Sequence, residues 1–552
     1  MTSKIRGARP RGARAARGRW RSVAVASLAA ASLIATGMVA GVAASSTVAG
    51  ATSSKVLLVG TYHGKKGQYT TIQAAVDAAK PGDWILVAPG DYHEHDATAP
   101  TKAELGTRGY AGVLVTTSNL HIRGLTRTKV VVDGTKAGSP ECAATQSDQY
   151  FGPKGAGSNG IEVFKANNVW VQNLTVCNYL SGHSSSGNEV WWNGVPHVGP
   201  IGLHGYWGTY LTTTSTYFGG ESTAAAYGIF SSNSSGGHWN QDYASNMNDS
   251  GTYVGACKRT CTVTIDNSWF EYNALGYSGT NSGGQIIVEN SKFDHNQDGF
   301  DTNSAISGDP PAPQTGSCPH TGTSKITKTH SCWVFMHNLV TDNNTGDVPA
   351  AGSAAAGPVG TGMTISGGRN DTVMDNTFST NGAWGTLFVP YPTSSTPSTH
   401  QTCTKIGGVV TNNLKLGCVL DPENDVLSGN TYVHDGYFAN PTNSDFGEIT
   451  LDSSQPQDCF GGNTDPDGTY PTNLETAQPL ATCGKPSTTT YEGALLTQAL
   501  CDSGFAKTLC TATDHYPTIN SDVTMQPLPT LPTMPNPCQG VPANAWCPSK
   551  SS

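Results

Sequence analysis

The chain has 552 residues, of which 13% are charged and 37% hydrophobic, with 65 Gly and 14 Cys. Its formal charge is −9, but eight of the 31 basic residues and none of the 40 acidic ones fall before residue 51, which leaves −17 on the remainder. A surface of that sign argues against nucleic acid, whose binding needs Lys and Arg to neutralise phosphates, and against polyanionic sugars unless a divalent cation bridges the two. Few charges and many glycines favour turn-rich β structure over helix.

Residues 1–50 read as a secretion signal: basic residues from Lys4 to Arg21, an apolar run over 23–44, then small residues through Ala51. No consecutive Arg pair occurs there, which fits the general secretory route. The apolar run is also long enough for a retained membrane anchor. No later stretch reaches that length without a polar residue, so no membrane span is expected after processing, and a secreted, monomeric protein is the expectation.

From residue 51 to 455 the pattern is one of short strands. It opens on a helix with Thr70 or Thr71 as N-cap and Ile72, Ala75, Val76 and Ala79 on one face, ended by Pro81-Gly82. A buried strand over 84–87 follows. Such a helix can close the open end of a stacked sheet. Strand-like runs continue at 113–116, 120–122, 130–132, 161–164 and 169–176. The segments 182–207 and 309–331 read as long loops. Trp191, Trp192, Trp207 and Tyr206, with Trp239 nearby, either present rings to sugar faces or pack the first of those loops.

Two stretches, 265–281 and 288–304, repeat one another 23 residues apart, with matches at Asn267/Asn290, Ser268/Ser291, Phe270/Phe293, Asn273/Asn296 and Gly276/Gly299. A period of this length, with Asn at corners and Gly at turns, is what a coiled parallel sheet requires. Each coil stacks on the next at about 4.8 Å, so equivalent residues form columns. Weaker copies place Asn343 with Gly346, and Asn381 with Gly385 one residue late; corner Asn recurs at 173, 338, 376 and 430. Stacking puts Glu271 over Asp294. Strand alternation turns Phe300 inward and Asp301 outward, with Asp298 beside the turn at Gly299.

Residues 456–552 form a Cys- and Pro-rich C-terminal region with one short helix near 491–498. The cysteines fall into near neighbours, 142/177, 257/261, 318/332, 403/418, 459/483, 501/510 and 538/547, as suits local staples in an oxidising exterior.

The segment T-I-Q-A-A-V-D-A-A-K-P-G-D-W-I-L-V-A-P-G-D-Y (71–92) resembles the N-terminal cap of right-handed parallel β-helix proteins of the pectate-lyase-like superfamily. The resemblance implies an all-β fold, a right-handed parallel β-helix solenoid with an N-terminal capping helix. Lyases, hydrolases, epimerases, esterases and adhesins share that fold, so it does not choose a reaction.

The phrase N-Q-D-G-F-D (296–301) is similar to the N-D-D-G-x-D rung of calcium-dependent pectate lyases of family nine, which points to Asp298 and Asp301 as Ca²⁺ ligands; Asp294 and Glu271 are further acidic candidates. Gln297 stands where that family has its first Asp, Leu275 at the ligand of the preceding rung, and Val348 at the next rung's outward basic position. A β-elimination also needs a base; Lys292, Arg369 and His295 are the candidates.

The polygalacturonase phrases G-H-G and R-I-K are missing downstream of this rung, and so are the Asp-Pro-His phrase of alginate epimerases and the P-loop and Gly-x-Ser-x-Gly patterns. The expected function is a secreted, calcium-assisted polysaccharide lyase acting on uronate-containing glycans. The alternative is a non-catalytic β-helix that binds a polysaccharide or cell-surface glycan.

Overall fold

Runs such as Val130–Asp133 (VVVD) and Val169–Gln172 (VWVQ) are β-branched or aromatic and almost wholly buried, the composition of parallel strands covered on both faces. In the computed structural model they assemble into three parallel sheets of 12, 10 and 10 strands, here sheets 1, 2 and 3. The chain visits the sheets in turn, then lays each new strand beside its equivalent in the previous coil. With the right-handed crossover of parallel strands, the result is a right-handed parallel β-helix. The structure describes residues 54–95, 110–182, 187–195, 200–220, 223–255, 257, 261–280, 282–303, 331–352, 354–392, 403, 408–411, 417–451, 458–468, 493–504 and 507–548. The leader at 1–50 and the stretch 309–330 lie outside them.

The 23-residue repeat is one coil. Val263–Asp266, Trp269–Glu271 and Leu275–Thr280 pair in register with Ile286–Glu289, Lys292–Asp294 and Asp298–Asn303, so that Phe270 faces Phe293 and Glu271 faces Asp294. The two Phe rings lie 5.4 Å apart in the core. At the open N-terminal end, helix α1 (Ile72–Ala78) is capped by the Thr71 hydroxyl, which accepts from the Ala74 N–H at 3.3 Å, and buries Ile72, Ala75 and Val76.

Both corners of sheet 2 carry hydrogen-bonded ladders. At the exit to sheet 3, the backbone N–H of Asn273, Asn296, Asn343 and Asn381 donates in turn to the side-chain oxygen of Asn296, Asn343, Asn381 and Asp435, at 2.9, 3.1, 3.2 and 2.8 Å. At the entry from sheet 1, Asn338, Asn376, Asn430 and Asn463 do the same. In these ladders the positive φ belongs to the residue before the Asn, as at Tyr272, His295, Asp342 and Thr380 at one corner and His337, Asp375 and Gly429 at the other.

The structure corrects several local expectations. The segment 182–207 is not a single loop, because Asn188–Asn193 is a strand of sheet 3 and Leu203–Thr209 one of sheet 1. Trp192, Tyr206 and Trp239 pack with one another inside the solenoid, while Trp207 ends an outer ladder of stacked rings, Trp84, His121, Trp170 and Trp207, at spacings of 4.0, 4.0 and 4.1 Å. Gly346 is not the turn glycine of its coil. Gly362 sits over Gly299, and Thr361 and Thr364 stand opposite Asp298 and Asp301, so residues 344–360 are an insertion. Val348 is buried in that insertion against Leu275.

Beyond the last strand of sheet 1, Cys459–Gly461, the C-terminal region returns over the solenoid. Helix α2 (Gly493–Asp502) covers part of sheet 3. The irregular residues after it run back toward the first coils: Asn520 bonds Gly346, Gln526 pairs with Asn246, Met534 with Asn173, and Trp546 reaches Lys65. Five of the expected disulfides are formed, 142–177, 257–261, 403–418, 501–510 and 538–547. Cys332 and Cys459 are also bonded. Among the described residues no helix is long and apolar enough to cross a membrane.

Candidate functional site

The fold distributes the sequence-predicted residues over three places. Asp298 and Asp301 project from the outer face of sheet 3. Glu271, Asp294, Lys292 and His295 gather on the outer face of sheet 2. Arg369 lies at the corner between sheets 3 and 1, where its guanidinium pairs with Glu423 at 3.0 Å.

Asp298 and Asp301 line a cavity of ≈ 250 Å³ bounded by the coils of Tyr253, Ser278 and Thr364, by the insertion residues Ala354, Ala356, Gly357 and Pro358, by Tyr391, by α2 through Leu496, Ala499 and Leu500, and by Ser503 just after it. Asp298 accepts from the Phe300 N–H at 3.1 Å and from the Thr364 hydroxyl. Asp301 accepts from Ser366 Oγ at 2.8 Å and Asn303 Nδ2 at 2.9 Å. A third carboxylate, Asp249, accepts from the Tyr227 hydroxyl at 3.0 Å.

Burial is the largest effect on all three acids. It pushes Asp301 up to about 6 and Asp249 up to about 7, with the Asp301 charge adding to the shift at Asp249. Asp298 is raised well above the ordinary carboxylate value, by burial first and by Asp301 second. Among the described residues no Lys, Arg or His lines the cavity.

On sheet 2, Asp294 accepts from Trp269, from Lys292 Nζ at 2.6 Å and from His295 Nδ1 at 2.9 Å, while Glu271 accepts from the Tyr243 hydroxyl at 2.7 Å. Lys292 also lies 4.7 Å over the Trp269 ring. Burial raises Glu271, and its hydrogen bond to Asp294 raises His295.

Glu271, Asp294 and His295 present ligand atoms within 4.8 Å of one another. The Lys292 ammonium also pairs with Asp294 there and offsets part of that negative charge. The sheet 3 cavity has the opposite balance. Among the described residues no basic side chain lines it, and its three carboxylates offer the oxygen donors and negative charge that a hard divalent cation such as Ca²⁺ takes, without lying as a trio within 4.8 Å of one another.

Sequence reading missed Asp249, Tyr227, Tyr253, Tyr391 and the α2 wall. Asp249 was hidden by one extra residue. Met247 stacks at the Asn273 position, and Gly251 follows it by four residues where Gly276 follows Asn273 by three, so the N-D-S-G phrase keeps step with N-A-L-G along sheet 3 but not with the corner ladder before it. Tyr391 and α2 reach the cavity only through tertiary packing.

No protein-family model and no curated protein matches the chain. Solved structures that resemble it include the A-module of Azotobacter vinelandii mannuronan C-5 epimerase AlgE4, at 11% identity over 76% of this chain and 95% of that one, with a TM-score of 0.42. An alginate lyase from Paenibacillus sp. str. FPU-7 aligns at 10% identity over 76% and 97%, with a TM-score of 0.37. A rhamnogalacturonan lyase aligns at 10% over 80% and 98%, with a TM-score of 0.42. Likeness at this level says nothing about reaction, and it is the coil stacking itself that establishes the parallel β-helix fold.

Proposed function

We propose that the protein is a secreted, carbohydrate-active β-helix that takes up an acidic, uronate-containing glycan at the sheet 3 cavity with the help of a divalent cation, Ca²⁺ by donor chemistry. One observation carries the reading: Asp249, Asp298 and Asp301 share a cavity that holds no positive side chain among the described residues. A cation would relieve that charge and bridge to a uronate carboxylate, which the net negative protein would otherwise repel. Asp298 and Asp301 would hold the ion, and Ser366, Asn303 and Thr364 keep both carboxylates oriented. The cation would supply charge neutralisation at the carboxylate of the sugar.

The geometry favours binding over elimination. Lys292 and His295 belong to sheet 2 and Arg369 is paired with Glu423, so none of the three expected bases lines the cavity. A lyase reading keeps one support, the hydroxyls of Tyr227, Tyr253 and Tyr391 in the cavity, since tyrosine can carry a proton in such chemistry. Incubation with pectate, alginate and other uronates, with and without a chelator, separates the two. Chelator-sensitive retention on the polymer without unsaturated product absorbance is the expected result. Appearance of that absorbance would establish the lyase, and no retention on any uronate would exclude both readings.

A further inference from the structure

A solenoid ordinarily offers a polymer an open groove along its axis, and sheet 3 does not. Its central outward column runs through Trp191, Phe230, Tyr253, Ser278, Asp301, Thr364 and Leu387 in successive coils. Between Trp191 and Leu387 only the middle of that column is polar; one coil before Trp191 it holds Glu162, which is buried and bonded to Asn159 and Asn193. Toward the N-terminal end, Trp191, Phe230 and Tyr253 are 7, 7 and 8% exposed and pack into one aromatic cluster, with Trp191 stacked on Phe230 at 5.0 Å.

Toward the other end, Leu387 and Trp384 are buried beneath Leu495, Leu496 and Ala499 of α2. A Cβ placed on Gly447, the next residue in the column, would meet Leu387 at 3.1 Å and Leu495 at 3.3 Å, so the helix lies directly on the sheet there. The helix is fixed in place. Asp502 accepts from the Val359 N–H at 3.2 Å, Gln498 accepts from the Thr442 N–H at 2.8 Å, and Cys501 is bonded to Cys510.

The polar window from Ser278 to Thr364 spans two strand spacings, roughly 10 Å. Its cavity, ≈ 250 Å³, is smaller than the 300–1,000 Å³ or so that a drug-sized ligand fills.

We infer that this is a dead-end pocket for the terminus of an acidic glycan, with α2 as the stop, and not a groove for the interior of a polymer. The inference rests on the glycan reading above and narrows its substrate class to chain ends and short acidic oligosaccharides. Ser278, Asp301 and Ser366 face the terminal sugar, and the aliphatic side chains of Leu496 and Leu500 set how much of the chain can follow.

The test uses the full chain with Ca²⁺ and two probe series: oligogalacturonates and oligomannuronates of one to six units by calorimetry, and the parent polymers cut to different mean lengths at constant mass. The expected result is an affinity that changes less than twofold beyond two units, and polymer capacity that rises tenfold when mean length falls tenfold. Capacity that follows polymer mass and ignores the number of ends overturns the pocket while leaving cation-assisted glycan uptake standing. No binding by any uronate of any length overturns both.

Leu500→Ala, at a half-buried wall position, should improve binding of the trimer over the dimer at least threefold by opening the stop. An unchanged length preference in that variant also counts against the pocket.

Discussion

Asp301 shows how one side chain can be legible in sequence for direction and illegible for company. Alternation along D-G-F-D turns Phe300 inward and Asp301 outward, and Phe300 indeed stacks on Tyr277 at 4.1 Å inside the solenoid. The partners of Asp301, Ser366 and Asn303, follow from coil register, and the register of the next coil was obscured by the 344–360 insertion. Asp301→Asn keeps the shape and removes the charge. It should weaken Ca²⁺-dependent uronate binding at least tenfold, about 1.4 kcal/mol, with little change in thermal midpoint; calorimetry and a melting curve together check it. Lys292→Met, on the neighbouring sheet, should leave that binding within twofold, because its ammonium engages Asp294 and Trp269 and does not line the cavity.

At the scale of elements, the corners decide how the coils stack. Each Asn in the sheet 2 ladders uses its amide N–H₂ as well as its oxygen, as Asn296 does toward Phe270 O at 3.1 Å and Asn343 Oδ1 at 3.0 Å. The corner between sheets 3 and 1 repeats the motif with acids. Asp371 N–H donates to Asp425 Oδ1 at 2.7 Å, and Asp425 N–H donates to Asp458 Oδ1 at 2.8 Å.

A carboxylate cannot supply the second donor, and Asp371, Asp425 and Asp458 leave buried oxygens without a hydrogen bond. Burial, then mutual repulsion, raises all three well above 3.8, the ordinary value of an aspartate. A raised folded-state pKa means the folded form holds its proton more tightly. The contribution to stability is therefore complete below 3.8 and is lost as pH rises through the higher folded value. Asp425→Asn should flatten that decline and raise the midpoint at neutral pH; melting curves from pH 4 to 8 for both proteins check it, and parallel curves would refute it.

The coil repeat, the capping helix and the corner Asn columns were legible because each is carried by a local phrase. The 182–207 strands were not, since Gly and Ser around Trp191 and Trp192 mimic a loop while their alternation is carried by rings facing opposite sides of sheet 3. The acid ladder has the spacing of an Asn column, since Asp371, Asp425 and Asp458 stand 54 and 33 residues apart just as Asn376, Asn430 and Asn463 do; it escaped notice because a stack of buried like charges is costly and is not what sequence leads one to expect.

For the molecule as a whole, stability in a solenoid is normally a sum of neighbouring contacts, and coils can open from either end. Here the residues from 515 to 548 lie along the stack, and Ser54–Ser552 form one unit. Arg127, nearly inaccessible to solvent, donates to Pro532 O at 3.0 Å and to Thr212 Oγ1 at 2.7 Å; Arg123 donates to Pro537 O at 3.1 Å and Gln539 O at 2.7 Å. Truncation after residue 514 would strip those carbonyls from buried guanidinium groups, a loss of order 1–3 kcal/mol for each hydrogen-bonded charge. The truncated protein should melt at lower temperature and in more than one step, which calorimetry would show as a broadened or divided transition.

The order of synthesis gives these contacts a further meaning. Arg123 meets a carbonyl made 414 residues later, and the Trp546 indole N–H donates to Lys65 O across 481 residues, at 3.0 Å. The early coils therefore hold polar groups, donors at Arg123 and an acceptor at Lys65, whose partners are made only when residues 515–548 are added, and a chain stopped short of them keeps that deficit.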